Sequence, residues 1–372
     1  MGEKRFSIKD KEIFAYGDKV LIISVLALFV LGVLSIYSAE MGVGRKASGF
    51  AMRQLVWGLI SLVVFFVVIK VGYRRLINWA YFIYWVFSVG SLLIVLLTGL
   101  TVKGAQSWLN LGLLRFQPSE AGKIGLALVM AKHFCRYPPE NLSRFIGGLI
   151  LAGISTLLVF IQPDLGSSIV YGLMILIALV VAGAPKRYVL TLTGLAFVLL
   201  PVGWQFLKEY QKKRLLVFIN PALDPLGAGY NVIQSRIAVG SGGLLGKGFL
   251  HGLQSKLRFL PEPHTDFIFS VYAEEFGFLG SLIVLVLFCV VFWRIINAGL
   301  RCKDKRGKVL VASLAAWIWF QVVESIGMSM GLLPITGLPL PFLSYGGSSL
   351  LAVSVAIALV MSVYLSTMKD YE

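Results

Sequence analysis

Unbroken apolar runs alternate with short polar connections along nearly the whole chain. The runs are continuous rather than alternating in period two, and each is long enough for a helix of about 20 residues, so they predict membrane helices and not barrel strands. About ten spans are expected, near 19–40, 52–70, 76–97, 118–135, 145–161, 165–183, 188–207, 267–293, 309–330 and 345–366. The first, VLIISVLALFVLGVLSIYSA, exceeds the roughly 7 to 15 apolar residues of a signal peptide and lacks a convincing cleavage site, so it is read as a retained span. The large connection, 208–265, lies between the seventh and eighth spans. Residues 1–372 therefore read as a single integral membrane domain with one large loop inside it.

Composition agrees with the pattern. The chain is 58% hydrophobic and 14% charged, with a mean hydropathy of +0.84. Soluble proteins are about 45 to 50% apolar, so the fold class is all-α and polytopic in a membrane. Charge then orients it. With the N-terminus inside, cytoplasmic segments hold 20 of the Lys and Arg, including Lys4, Arg5, Lys9 and Lys11, whereas the short outer segments hold only five: Arg45, Lys46, Arg53, Lys103 and Arg115. The long segment holds eight, but long segments escape the rule, so both termini are expected in the cytoplasm and 208–265 outside. The net charge of +16 is mostly this topological signal plus attraction to anionic lipid, and nucleic acid need not be invoked. Cys135, Cys289 and Cys302 have no metal-ligand spacing and read as packing thiols.

Polar residues inside the spans point to chemistry. Lys123 is the one cation placed within a span, in QPSEAGKIGLALVMAKHF, three residues after Glu120. Such a group costs roughly 2.5 to 3.5 kcal/mol at bilayer depth and usually faces a partner or a wet cavity. Glu120 and Lys123 share a helix face and can pair, which leaves a structural ion pair and a functional site both open. Asp164 sits in the outer turn QPDLGSS, Asp266 at the outer start of the eighth span, and Glu324 in the outer half of the ninth. Glu274 and Glu275 lie about 12 Å deeper than Asp266. The inner halves of the spans hold no acid. A path across the membrane needs polar lining at every depth, so this asymmetry favours a pocket open to the outer leaflet. Asp266, Ser270, Glu274 and Gly277 form one helical stripe, a polar seam descending from Asp266. A capping role for Asp266 competes with a chemical one.

After Lys208 the large loop carries seven cations, Lys212, Lys213, Arg214, Arg236, Lys247, Lys256 and Arg258, against Glu209, Asp224 and Glu262. Anion binding and a solvated role at the lipid surface are both open for it. YNVIQSRIAV predicts a short amphipathic helix lying at the interface. GSGGLLGKGFLHG has glycines at turn density, suited to close backbone approach to a ligand, but fails the phosphate-loop pattern because Gly248 follows Lys247. GLLPITGLPLPFLSYGGSS breaks a helix at the outer side, where Ser344 to Ser349 either flank the pocket or form a tight turn. Trp57, Tyr73, Trp79, Trp85 and Trp317 are assigned to interfacial belts, and Trp108, in SWLNLG, to the site.

At PEPHTDFIFSVYAEEFGF (261–278) the chain resembles the SEDS family of shape, elongation, division and sporulation proteins. FQPSEAGK (116–123), QPDLGSS (162–168), DPLGAGYNVIQSRIAVGSGGLLGKG (224–248) and LPLPFLSYGGSS (338–349) extend the likeness over nearly all of the sequence, and GKGFLHGLQSKLRFLPEPHTDFIF resembles the RodA branch rather than the FtsW division branch. The resemblance implies a peptidoglycan glycosyltransferase that polymerises lipid II on the outer face of the cytoplasmic membrane. It implies Asp266 as the essential acid, and Trp108, Glu120, Lys123, Arg214 and Gln234 as further site positions. It also implies a class B penicillin-binding protein as partner. A divalent cation accompanying the pyrophosphate is compatible with this, although no clustered carboxylates specify a protein-held metal. The rival readings are a lipid II flippase and a noncatalytic scaffold for a penicillin-binding protein.

Overall fold

The computed structural model describes residues 16–41, 49–102, 105–110, 112, 115–225 and 227–369. Lys4, Arg5, Lys9, Lys11, Arg45, Lys46 and Lys103 lie outside the described residues. The protein is helical almost throughout, and each of the ten predicted ranges falls on a helix. We label these α1 Lys19–Glu40, α2 Phe50–Val71, α3 Ala80–Thr98, α4 Pro118–Arg136, α5 Leu142–Ile161, α6 Leu165–Ala182 and α7 Lys186–Val198, which continues as Leu200–Phe206. In the large loop follow α8 Glu209–Ile219 and α9 Ala228–Ser241, and then α10 Ile268–Arg301, α11 Lys305–Ser329 and α12 Gly347–Lys369.

Among the described residues eight helices are long and apolar enough to cross a membrane, and α7 with its continuation, bent by 51°, can be a ninth. The bend falls where Pro201 enters the first turn of Leu200–Phe206 and the preceding ladder is interrupted. Helix α4 is outside this set because Glu120, Lys123, Lys132 and Arg136 make it polar. It is instead a central helix: α4, α6, α11 and α12 are each buried over more than half of their residues. Helix α11 packs on α4, α6 and α10, while α12 packs on α2 and α10 on α1. Outward, Ile23, Leu59, Val63, Ile150, Leu190 and Phe197 remain exposed, an apolar surface fit for acyl chains. The chain is a multi-pass membrane protein.

Three local features were not expected from the hydropathy pattern. A small antiparallel sheet, β1 Leu100–Val102, β2 Ala105–Asn110 and β3 Arg115–Phe116, follows α3. Ile83–Gly90 of α3 is wound as a π-helix. Helix α10 is broken at Gly277, whose φ of 62° and ψ of −159° suit glycine alone. Backbone groups freed at that break must be satisfied inside the protein. The glycine-rich run does so: Lys247 and Gly248 amides donate to the Glu274 and Glu275 carbonyls at 3.0 Å each, and Phe278 and Leu279 amides donate to Gly243 and Leu244 at 2.8 and 3.1 Å. The run expected to approach a ligand approaches α10 instead.

Two belt assignments are also corrected. Trp317 is wholly buried in the middle of α11, and Tyr73 is buried with its hydroxyl bonded to Asp304. Burial and the Asp304 carboxylate push that phenol up to about 12. The three cysteines are unpaired.

Candidate active site

Gln117 is extended and Pro118 occupies the first turn of α4, where a missing amide costs nothing, so the helix starts two residues before Glu120. Lys123 is 0% exposed and Glu120 1%. Their charges meet at 2.5 Å, and the ammonium lies 5.0 Å from the centre of the Trp317 ring. Close approach of neighbouring helices buries the pair, because a side chain at Gly122 would strike Tyr171 and one at Gly125 would strike Ser88. The Trp317 indole donates to Gln321 at 2.6 Å, and the Gln321 amide donates to the Pro339 carbonyl at 2.7 Å. The second oxygen of Glu120 is buried and accepts no hydrogen bond among the described residues.

Trp317, Gln321 and Glu324 lie at i, i+4 and i+7 and so share one face of α11, a rise of about 10 Å. Lys123 sits at the deeper end of this face. At the other end Glu324 accepts from the Thr336 hydroxyl and is near enough to Asp266 to feel its charge. Lys123 thus meets one end of this face through Trp317, and Glu324 at the other end lies within electrostatic range of Asp266.

Asp266 is half-buried and lies in a turn; α10 begins at Ile268 with Phe267 before it, so Asp266 is not the cap. Tyr345 donates its amide to the His264 carbonyl and Ser344 its hydroxyl to the Thr265 carbonyl, each at 2.8 Å. Ser344 and Tyr345 therefore contact this turn. The seam below Asp266 is consumed by packing. Ser270 meets Ser235 of α9 at 2.6 Å, and Glu274 accepts from Lys247 at 2.6 Å and from the Leu253 amide at 2.9 Å.

Of the cations of the large loop, Arg214 is brought near the α4 start. Tyr210 and Gln211 of α8 donate to the Pro163 carbonyl at 2.9 and 3.1 Å, and half-buried Arg214 stacks over the Tyr210 ring at 5.6 Å. Beside them Asp164 accepts from Gln117 at 3.3 Å and from Ser167. Asp224 links α8 to α9 by accepting from Lys213 at 3.2 Å and the Ala228 amide at 2.8 Å. The Ala228 amide, then Lys213, hold its carboxyl below the usual range. Helix α9 forms as expected but packs Val232, Ser235 and Ala238 inward against α10, rather than lying free at an interface. Gln234 is half-buried on it, beside Ser235. Trp108 is half-buried on β2, which packs against α3 and α4. Among the described residues no group of three or more His, Cys, Asp or Glu is placed to hold a metal ion.

The family model described as cell cycle protein, covering FtsW, RodA and SpoVE, matches residues 18–369. The chain belongs to this SEDS family. Relatives place it on the RodA branch: it is 40% identical over 352 residues to the peptidoglycan glycosyltransferase MrdB of Escherichia coli (strain K12), covering 93% of each chain. It is 32% identical to the peptidoglycan glycosyltransferase RodA of Treponema pallidum (strain Nichols), covering 93% of this chain and 97% of that one. Among solved structures, a chain of a peptidoglycan synthase complex that coordinates polymerization and crosslinking superposes with a TM-score of 0.81 at 33% identity, over 96% of this chain and 100% of that one. The rod shape determining protein RodA of Thermus thermophilus gives 0.72 at 30%, over 96% and 99%.

Within this SEDS frame, sequence reasoning missed Trp317 as the ring beside the Lys123 ammonium and Gln321 as the partner of its indole. A signal existed for the second, since an uncharged amide inside an apolar span is itself costly and needs a partner.

Proposed function

We propose that this chain is a peptidoglycan glycosyltransferase that polymerises lipid II into glycan strands at the outer face of a bacterial cytoplasmic membrane, serving elongation and rod shape. The observation carrying the reading is the α11 face that runs from the Lys123–Glu120 pair to Asp266, in a chain of the SEDS family. Both termini lie in the cytoplasm and α4 makes a tenth crossing, which turns Asp266 and the loop 208–265 outward. Lipid II has a polyprenyl tail, an anionic diphosphate and a polar sugar head. A lateral entry at the outer leaflet suits that amphiphile better than a channel, because the inner halves of the spans hold no acid.

Asp266 acts as general base, accepting the proton of the acceptor 4-hydroxyl. The freed oxygen bonds to the donor anomeric carbon as the carbon–oxygen bond to diphosphate breaks, and polyprenyl diphosphate leaves. Attack from the opposite face converts the α-linked donor into a β linkage. Arg214 and the outer loop cations stabilise the leaving diphosphate. Lys123, sealed by Glu120 and Trp317, contributes a fixed positive charge and holds Glu120 in place. Trp108 and Gln234 bind the head group at the rim. A divalent cation would arrive with the diphosphate rather than in a site of the protein's own. A class B penicillin-binding protein docks on the membrane helices and supplies crosslinking.

The test is polymerisation of labelled lipid II by the purified full-length chain with its partner in proteoliposomes. Glycan product on a gel is expected from the wild type and none from Asp266→Asn, with expression and partner binding unchanged. Translocated head groups without product would mean a flippase; unimpaired polymer from Asp266→Asn would remove the carboxylate from the chemistry.

A further inference from the structure

The turn that carries Asp266 has no regular ladder of its own, so something else must fix it. A peptide unit is a rigid plane, and pinning the carbonyls of His264 and Thr265 sets the planes that lead into the Asp266 Cα. Their donors are the Tyr345 amide and the Ser344 hydroxyl, both from the proline-rich segment after α11. That segment needs an anchor too, and it comes from α2. Gln54 is 0% exposed, its amide nitrogen donates to the Ser344 carbonyl at 3.1 Å, and its oxygen accepts from the Gly346 amide at 3.3 Å.

We propose that Gln54 is a positioning residue for Asp266, acting through Ser344; the proposal rests on reading Asp266 as the reacting carboxylate. Three residues of one α2 face, Phe50, Gln54 and Trp57 at i, i+4 and i+7, seat the strap together. Phe50 stacks on His264 with ring centres 4.3 Å apart and planes 11° from parallel. Trp57 packs so closely under Gly347 that any side chain there would strike the indole. The start of α2 is itself held, because Glu40 accepts from the Phe50 amide and, at 3.1 Å, from the Ala51 amide. An amide is suited to the anchor position. It offers a donor and an acceptor to one backbone turn, and it adds no charge next to a carboxylate that must take and release a proton. A buried Gln with both ends spent on two residues of the same strap has no reason to be there except to hold that strap.

The experiment uses the full-length chain with its partner in proteoliposomes, titrated with lipid II, and compares Gln54→Leu, Ser344→Ala and Ser344→Thr with the wild type. A displaced base slows chemistry more than binding, so Gln54→Leu and Ser344→Ala should lower the maximal rate by about tenfold to a hundredfold, with the half-saturating lipid II concentration within about twofold. Ser344→Thr keeps the hydroxyl and should recover most of the rate. Hydrogen exchange read by mass spectrometry gives an activity-free measure: amides of 261–267 should exchange about tenfold faster in the two impaired variants, with the peptides of α4 and α6 unchanged. Wild-type exchange in 261–267, or an effect confined to the half-saturating concentration, overturns the proposal. If Gln54→Leu does not fold, Gln54→Met, which keeps the unbranched volume without either hydrogen bond, takes its place and must show the same two losses. If the wild type makes no polymer, the functional reading fails by itself, and exchange still reports whether Gln54 holds the strap.

Discussion

Two irregular segments pack on the helix bundle, and they are held by different chemistry. The glycine-rich run 242–256 plugs the break in α10, and a carboxylate locks it there: Glu274 grips Lys247 and the Leu253 and Gln254 amides. The proline-rich segment 338–349 is held by neutral groups, Gln54, Gln321 and the Ser344 hydroxyl. The second donates to the turn carrying Asp266, through the Tyr345 amide and the Ser344 hydroxyl. Ionised anchors give the stronger hold, but their fields reach any titrating neighbour in a medium of low dielectric. The difference teaches that this fold spends charge where it needs rigidity, and keeps anchors uncharged where a carboxylate must exchange a proton.

Breaking the charged anchor should have the largest effect on stability. Glu274→Ala leaves the Lys247 ammonium and two amides without their acceptor. Truncating one member of a buried, hydrogen-bonded charge pair costs about 3 kcal/mol. The unfolding midpoint in detergent should fall sharply, and proteolysis should cut first within 242–256. The same substitution leaves the hydrogen bonds of the 338–349 segment intact, so Glu274→Ala protein that survives purification should retain normal exchange at 261–267. Faster exchange there would mean that the two segments form one unit.

The contrast between the segments was only partly legible in the sequence. Run length and the cost of burying backbone dictated membrane helices, so all ten ranges land on helices, and the i, i+3 spacing announced the Glu120–Lys123 pair. Asp266 falls just before the start of α10, close to where the apolar run was expected to begin. What could not be read was the set of partners each polar residue finds. Glycines at turn density allow a backbone to approach a ligand or another backbone equally well, and only the break at Gly277 decides that Gly243 to Gly248 fill a helix. Trp317 falls where a belt residue would by position, yet the neighbouring helices close over it and give it Lys123. Gln54 follows Arg53 at the edge of an apolar run, and its significance appears only when 290 residues later Ser344 folds back onto it. The sheet 100–116 hides for another reason: its strands are as short as two residues, too few to show a period.

A medium effect is expected at the break itself. Gly277→Ala adds a β-carbon at a φ of 62° and ψ of −159°, where non-glycine residues are strained by about 1 to 3 kcal/mol, and pushes against the Gly246 amide. The expected outcome is a lower unfolding midpoint with the rate of polymerisation per folded molecule nearly unchanged. A large loss of rate at unchanged stability would tie the plug to the chemistry and erase the distinction between the two segments.

The smallest effect sharpens the comparison by moving the carboxylate anchor into water. Asp224 does for α8 and α9 what Glu274 does for α10, accepting from a lysine and a backbone amide, but at the surface, where solvent screens the pair. Its folded carboxyl is held low by the Ala228 amide and Lys213, so its contribution is present above the ordinary carboxylate range and is lost as pH falls through the lowered folded value. Asp224→Asn should therefore leave the global unfolding midpoint almost unmoved at neutral pH while speeding amide exchange at the start of α9. The wild type should approach the variant's exchange behaviour on acidification. If Asp224→Asn instead matched Glu274→Ala in damage, burial would not be what separates strong anchors from weak ones here, and the uncharged hold beside Asp266 would need another cause.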